Sequence, residues 1–334
     1  MKKRRLGKTN IMVSEVGFGG IPIQRITQNE AKDVIRFAVD NGVNFIDTAR
    51  GYGISEEYIG NALYGIRKEV YIATKSMART KDAMKEDIER SLKNLKTDYI
   101  DLYQLHNVKD EETFKQVMSE DGALEALLDA KREGKVLHIG ITSHSLDFLK
   151  KILEYDVFET IMYPYNIVED QAEELFKEAN KRDIGIIVMK PLAGGALEDS
   201  ELAISYILNN KNISTVIPGM ESIEQVKQNI SASYIEFNDE MMKKCIEIKK
   251  KYTNSFCRRC GYCMPCPQGI DIPFCFILKG YYDRYDLKEW ATERYNGMKS
   301  HASDCLGCGI CETRCPYNLK IREMLKEVVE SFGF

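Results

Sequence analysis

Along the first 230 or so residues, short β-prone apolar runs alternate with stretches whose apolar positions recur every three or four residues, and the alternation repeats eight times. Behind a hairpin pairing Arg4 to Leu6 with Ile11 to Val13, Glu15 to Gly19 reads as the first strand. Thr27 and Glu30 form a capping box for a helix running to Asn41. Val43 to Ile46 is the second strand, followed by strands at Val70 to Thr74, Tyr99 to Leu105, Val136 to Ile141, Thr160 to Tyr163, Ile184 to Met189 and Thr215 to Ile217. Between them helices are expected from Ser55 to Tyr64, Asp82 to Leu95, Ala123 to Arg132, Phe148 to Leu153, Glu173 to Asn180, Leu202 to Leu208 and Ile223 to Ile230. The helix from Asp82 to Leu95 shows the pattern most plainly, with Met84, Ile88, Leu92 and Leu95 on one face.

Parallel strands need crossover helices, and eight tilted strands close a sheet on itself, so the pattern predicts an α/β chain folded as a (β/α)8 TIM barrel. An open, doubly wound sheet is the alternative. It needs a glycine-rich phosphate loop after the first strand, and Gly17-Phe18-Gly19-Gly20 lacks that spacing.

At 334 residues the chain has room for a barrel of about 250 residues and a small annex. Its 44% apolar and 29% charged residues are those of an ordinary globular protein. A net charge of -4 offers no basic field for nucleic acid. No run of eighteen apolar residues exists to span a membrane. The basic opening Lys2-Lys3-Arg4-Arg5 is followed by Ser14, Glu15 and glycines, not by a signal peptide's apolar stretch, so the expected location is cytoplasmic.

The barrel phase gives meaning to residues that would otherwise read as loop caps. Asp47 falls at the end of the second strand with Tyr52 in the loop behind it, Lys75 at the end of the third and His106 at the end of the fourth. Neighbouring strands bring such residues together at the C-terminal mouth of a barrel. A phenol is a poor acid at neutral pH until an adjacent cation stabilises its phenolate. Lys75 is placed to do that, Asp47 to hold Lys75, and a neutral His106 to orient a carbonyl oxygen.

Asp47-Thr48-Ala49-Arg50-Gly51-Tyr52, Ala73-Thr74-Lys75 and Leu102-Tyr103-Gln104-Leu105-His106 resemble the catalytic tetrad of the aldo-keto reductase superfamily. The likeness runs from residue 4 to about 235 and takes in Leu6-Gly7, Gly140-Ile141-Thr142-Ser143, Tyr165-Asn166, Lys190-Pro191-Leu192 and Ile217-Pro218-Gly219. It implies hydride transfer between NADP or NAD and a small-molecule carbonyl substrate, with Tyr52 as general acid. Ser143 and Asn166 are then implied as carboxamide contacts. Lys190, Pro191 and Leu192 would cover the pyrophosphate, and Pro218, Gly219, Gln225 and Asn229 would complete the nucleotide site. Met162 stands where that superfamily often carries a glutamine. Around Ile217 to Asn229, where relatives set Lys or Arg against a 2′-phosphate, this chain has Gly219, Met220, Glu221 and Gln225. Glu221 repels such a phosphate, so cofactor choice is expected to be relaxed or to lean to NADH.

The last 80 or so residues change character, and the division expected is a barrel at 1–253 and a second domain at 254–334. A lysine-rich helix, Asn238 to Tyr252, leads into Cys257, Cys260, Cys263 and Cys266-Pro267; a second run holds Cys305, Cys308, Cys311 and Cys315-Pro316. Zinc usually takes two separated Cys pairs, and cytosolic disulfides are rare. Three Cys at two-residue spacing followed by Cys-Pro suit a 4Fe-4S cubane, and two runs imply two clusters. The last Cys of each run usually ligates the other run's cluster. That gives Cys257, Cys260, Cys263 and Cys315 for one, and Cys305, Cys308, Cys311 and Cys266 for the other. The 38 residues between the runs read as helices, so a helical dicluster module is expected, not a compact β-type ferredoxin.

Cys245, Cys275, His138 and His301 read as structural, Trp290 as annex core, and His144 as a weaker candidate for a cofactor or substrate contact. The reading is an NAD(P)-dependent carbonyl reductase carrying two clusters, with a redox protein of ferredoxin or flavodoxin type as the expected partner. The alternative is an iron-sulfur electron carrier whose barrel docks a nicotinamide or a partner. Specificity is expected on variable mouth loops, with little help from the tail.

Overall fold

A computed structural model of the chain describes residues 1–252, 257–258, 261–284, 286–315 and 317–334. Eight parallel strands follow one another in sequence order: β1 (Phe18–Gly19), β2 (Phe45–Asp47), β3 (Tyr71–Ser76), β4 (Ile100–Leu105), β5 (Val136–Thr142), β6 (Thr160–Pro164), β7 (Gly185–Met189) and β8 (Thr215–Val216). The first and last strands meet through parallel bridges Val16 to Val216 and Gly19 to Gly219. There Gly17 N–H donates to Val216 O at 2.8 Å and Gly19 N–H to Pro218 O at 2.9 Å, closing the barrel.

Helices α1 (Gln28–Asp40), α2 (Ser55–Ala62), α3 (Lys81–Leu95), α4 (Ala123–Arg132), α5 (Leu146–Ile152), α6 (Glu173–Lys181), α7 (Ser200–Asn209) and α8 (Ile223–Ser231) make the return passes. The capping box of α1 forms as read: Thr27 Oγ1 accepts from Glu30 N–H at 3.4 Å and Glu30 Oε2 from Thr27 N–H at 2.8 Å. Such a cap contributes about 1 kcal/mol. Met84, Ile88, Leu92 and Leu95 are all buried against the sheet. The hairpin pairs Lys3–Arg5 with Met12–Ser14, in the expected register of Arg4 opposite Val13, with the strand bounds one residue further from the turn. Its Leu6 and Val13 join Phe45, Ala73, Leu102, Met162 and Ile187 in a cluster inside the barrel. Gly7 turns there at φ +52°, where a Cβ would come within 2.2 Å of Gly185 N. One helix went unforeseen: Glu111–Met118, capped by Asp110, buries only Phe114 and Val117 and is too short to show a period.

Behind α9 (Asp239–Tyr252), the annex is helical, as expected: α10 (Ile272–Arg284), α11 (Lys288–Asn296), a short turn at Ile310–Thr313, and α12 (Ile321–Phe332). It has its own core, with Ile272, Cys275, Leu278, Ala291, Leu325 and Val328 around the Tyr295–Phe332 ring stack, whose centroids are 4.3 Å apart. Trp290 corrects the expectation set for it. It packs on the edge of this core, yet its indole N–H reaches Gly51 O of the barrel at 3.4 Å, and α10 and α11 form a roof over the barrel mouth.

Candidate active site

Parallel register fixes the centre of the site. Asp47 ends β2 beside Ala73, and Lys75 in β3 lies beside Gln104 in β4, so the acid and the base face each other in adjacent strands. Both are buried. Lys75 Nζ lies 2.6 Å from Asp47 Oδ2 and donates to Thr48 O at 2.8 Å. Burial pulls Lys75 below its ordinary pKa and raises Asp47, while their contact opposes both shifts. Lys75 Nζ sits 5.0 Å from the centroid of the Tyr52 ring, and the His106 ring stands edge-on to Tyr52 at 6.1 Å.

The loop carrying Tyr52 is rooted by a carboxylate that the sequence did not single out. Glu56, in α2 and buried, accepts from Thr74 Oγ1 and Ser91 Oγ at 2.8 Å each and from Arg50 Nη1 at 2.5 Å. Arg50 N–H also donates to Lys75 O at 3.0 Å, tying the loop to β3. Burial first, then Lys75 and Arg79, hold the His106 imidazole well below its usual pKa. It therefore stays neutral, and its buried Nδ1 has no hydrogen-bond partner among the described residues.

Asp47, Tyr52 and His106 open into a cavity of about 370 Å³. Of the expected nucleotide residues, Lys190, Pro191, Leu192, Gly219 and Gln225 line it, and so does His144. Lys190 adopts a left-handed φ of 57°, and its carbonyl accepts from Asn166 Nδ2 at 3.0 Å. Asn166 itself is buried and spends its side chain on Glu169, on the backbone of Val168 and on this loop. Ser143 is buried behind the wall, its Oγ accepting from Ser145 N–H at 3.0 Å. Pro218 and Asn229 also lie outside the lining. At the end of the cavity where the nucleotide is expected, Glu221 is ion-paired with Arg25 at 2.6 Å, and Gln225 Oε1 accepts from Glu221 N–H.

In the annex, Cys263, Cys266, Cys305, Cys308 and Cys311 line one small pocket with Ile272 and Arg322. Cys257 and Cys315 pack on the same core. Cys260 lies outside the described residues. Five soft thiol donors around one void fit iron-sulfur chemistry, although among the described residues no three converge into a finished ligand set. Burial pushes Cys245 up to about 11 and Cys275 up to about 12, as for inert packing thiols.

The aldo/keto reductase family model matches residues 15–201 and 198–250. The chain belongs to the aldo/keto reductase family. A 4Fe-4S dicluster domain model matches residues 256–320, so this aldo/keto reductase carries an iron-sulfur domain at its C-terminal end. The oxidoreductase YqkF of Bacillus subtilis is 27% identical over 286 residues, covering 70% of this chain and 91% of that protein. The NADH-specific methylglyoxal reductase of Escherichia coli is 25% identical over 314 residues, covering 72% and 95%. Among solved structures, an aldo-keto reductase from Bacillus halodurans in its holo form superposes with a TM-score of 0.65 at 29% identity, covering 74% of this chain and 96% of that one. Among the described residues no helix is long and apolar enough to cross a membrane.

Sequence reasoning missed the roof. Phe274, Ile277, Tyr281 and Arg284 of α10, with Trp290 and Arg294 of α11, form one side of the cavity. The available signal was an aromatic and an arginine four apart on one helix, Trp290 and Arg294, which stack at 3.8 Å. His138 and His301, read as structural, do have partners: His138 Nδ1 lies 2.7 Å from Glu159 Oε2 and His301 Nε2 lies 3.0 Å from Tyr295 O.

Proposed function

We propose that this aldo/keto reductase reduces an aldehyde or ketone with NAD(P)H, using Tyr52 as the general acid. The observation that carries the reading is the buried Asp47–Lys75 pair set 5.0 Å beneath the Tyr52 ring. A nicotinamide bound in the mouth supplies the hydride. Lys75 stabilises the phenolate as Tyr52 gives its proton to the carbonyl oxygen, Asp47 keeps Lys75 in place, and His106, held neutral, orients that oxygen. Lys190, Pro191, Leu192, Gly219 and Gln225 hold the dinucleotide. Asn166 fixes the Lys190 carbonyl, and Ser143, Pro218 and Asn229 support the walls from behind. The chain accepts both NADH and NADPH, since Arg25 offsets Glu221 at the edge where a 2′-phosphate would lie.

In the module at 254–334, two 4Fe-4S clusters take the exchanged ligand sets. Cys266 of the first run lines a pocket with Cys305, Cys308 and Cys311, as this pairing needs, and Cys263, given to the other cluster, lines the same pocket. The clusters exchange single electrons with a redox protein of ferredoxin or flavodoxin type. Anaerobic turnover of NADH and NADPH against a panel of aldehydes and ketones, in wild type and Tyr52→Phe, tests the reading. Undiminished reduction in the variant removes Tyr52 as the acid.

A further inference from the structure

The iron-sulfur module does more at the mouth than cover it. Trp290 Nε1 and Arg294 Nη2 both donate to Gly51 O, at 3.4 and 3.2 Å, on the residue directly before Tyr52. The guanidinium lies 3.8 Å over the Trp290 ring, which fixes its plane, and both side chains line the cavity into which Tyr52 and His106 open. Its bonds to Gly51 O and to Trp290 O, at 3.3 Å, leave further N–H donors of its fork for a ligand.

The charges around the cavity are unequally matched. Of its acidic walls, Asp47 is held by Lys75 and Glu221 by Arg25. Among the described residues, the one carboxylate within 4 Å of Arg294 is Glu293, 3.7 Å away on a side chain that is 83% exposed and absent from the lining. Burial lowers the pKa of Arg294, as it does for a cation lacking a close counter-charge. A planar guanidinium stacked on an aromatic ring is well suited to bidentate capture of a carboxylate.

We propose that Arg294, shelved on Trp290, is the carboxylate subsite of this enzyme, and that the substrate is a small oxo acid whose carbonyl lies under Tyr52. This rests on the reductase reading above. The carbonyl carbon receives the hydride and its oxygen the Tyr52 proton, so one NAD(P)H is oxidised for each hydroxy acid formed, while the carboxylate stays unchanged. The binding determinant thus comes from the iron-sulfur module, and the reacting groups come from the barrel.

The chain has one tryptophan, so Trp290 itself reports occupancy. The holoenzyme is titrated with pyruvate and methyl pyruvate, then with 5-oxohexanoate and its methyl ester, following Trp290 fluorescence; kcat/KM is measured for the same four compounds. At least one acid is expected to bind and react about tenfold or more better than its ester. That ratio should fall to near one in Arg294→Met and recover in part in Arg294→Lys, with iron content checked in each variant. The ratio is the readout, because a purely structural role lowers acid and ester alike. No acid preference for either pair, or a preference that survives in Arg294→Met, overturns the subsite. If none of the four compounds turns over in wild type, the reductase reading suffers, while acid-selective quenching lost in Arg294→Met still supports the subsite.

Discussion

Tyr52, Lys75, Asp47 and His106 carry the reaction in the proposed mechanism, and each has its own expected failure. Tyr52→Phe keeps the ring and removes the proton; kcat is expected to fall on the order of 10²–10⁴-fold with nucleotide binding nearly intact, read by NADH fluorescence. Lys75→Met leaves Asp47 buried without its partner, which costs several kcal/mol in such pairs, so both activity and thermal stability should drop. Glu221→Gln removes the carboxylate facing Arg25 and should shift the ratio of dissociation constants toward NADPH; an unchanged ratio places the 2′-phosphate edge elsewhere. Away from the site, burial pushes Glu159 up, but hydrogen bonds from His138 and Lys131 prevail and hold it at about 2 against an ordinary 4.5. A depressed carboxylate contributes stability that is complete above its unfolded pKa. Melting temperature should therefore fall as pH drops from about 4.5 toward 2, and less so in Glu159→Gln. That Asp47, Tyr52, Lys75 and His106 come together was legible because strand ends fix where a side chain points. The hydrogen bonds of Asn166 and Ser143 were not, because sequence cannot show which partners buried amides and hydroxyls find.

At the scale of elements, alternation and helical period placed eight strands and eight helices because each has one face or both against a single core. What stayed hidden were contacts between elements distant in sequence. Nothing in α11, with four charged residues in nine, announces that Trp290 and Arg294 meet a loop near residue 51. Replacing Cys275, on the buried face of α10, with Ser should leave iron content unchanged; loss of about four irons per chain would make it a ligand.

At the scale of the whole molecule, two redox units differ in what they accept. A nicotinamide gives two electrons as hydride and a cubane takes one, so NADH or NADPH alone is not expected to reduce the clusters, whereas dithionite should. Anaerobic paramagnetic resonance decides; rapid reduction by NADH in flavin-free protein would contradict it. Total iron should be about eight per chain. The C-terminal iron-sulfur domain was legible through its two cysteine runs, and its place over the mouth was not, since composition carries no information on docking.

Helix α10 is a party wall. Ile272 on one side lines the cysteine pocket, and Phe274, Ile277 and Tyr281 on the other line the catalytic cavity. A small module whose fold depends on its metal loses shape when air dissolves that metal. Exposure to oxygen would then unroof a reaction that itself needs no iron: first the preference among substrates would be lost, and only later the capacity to move a hydride.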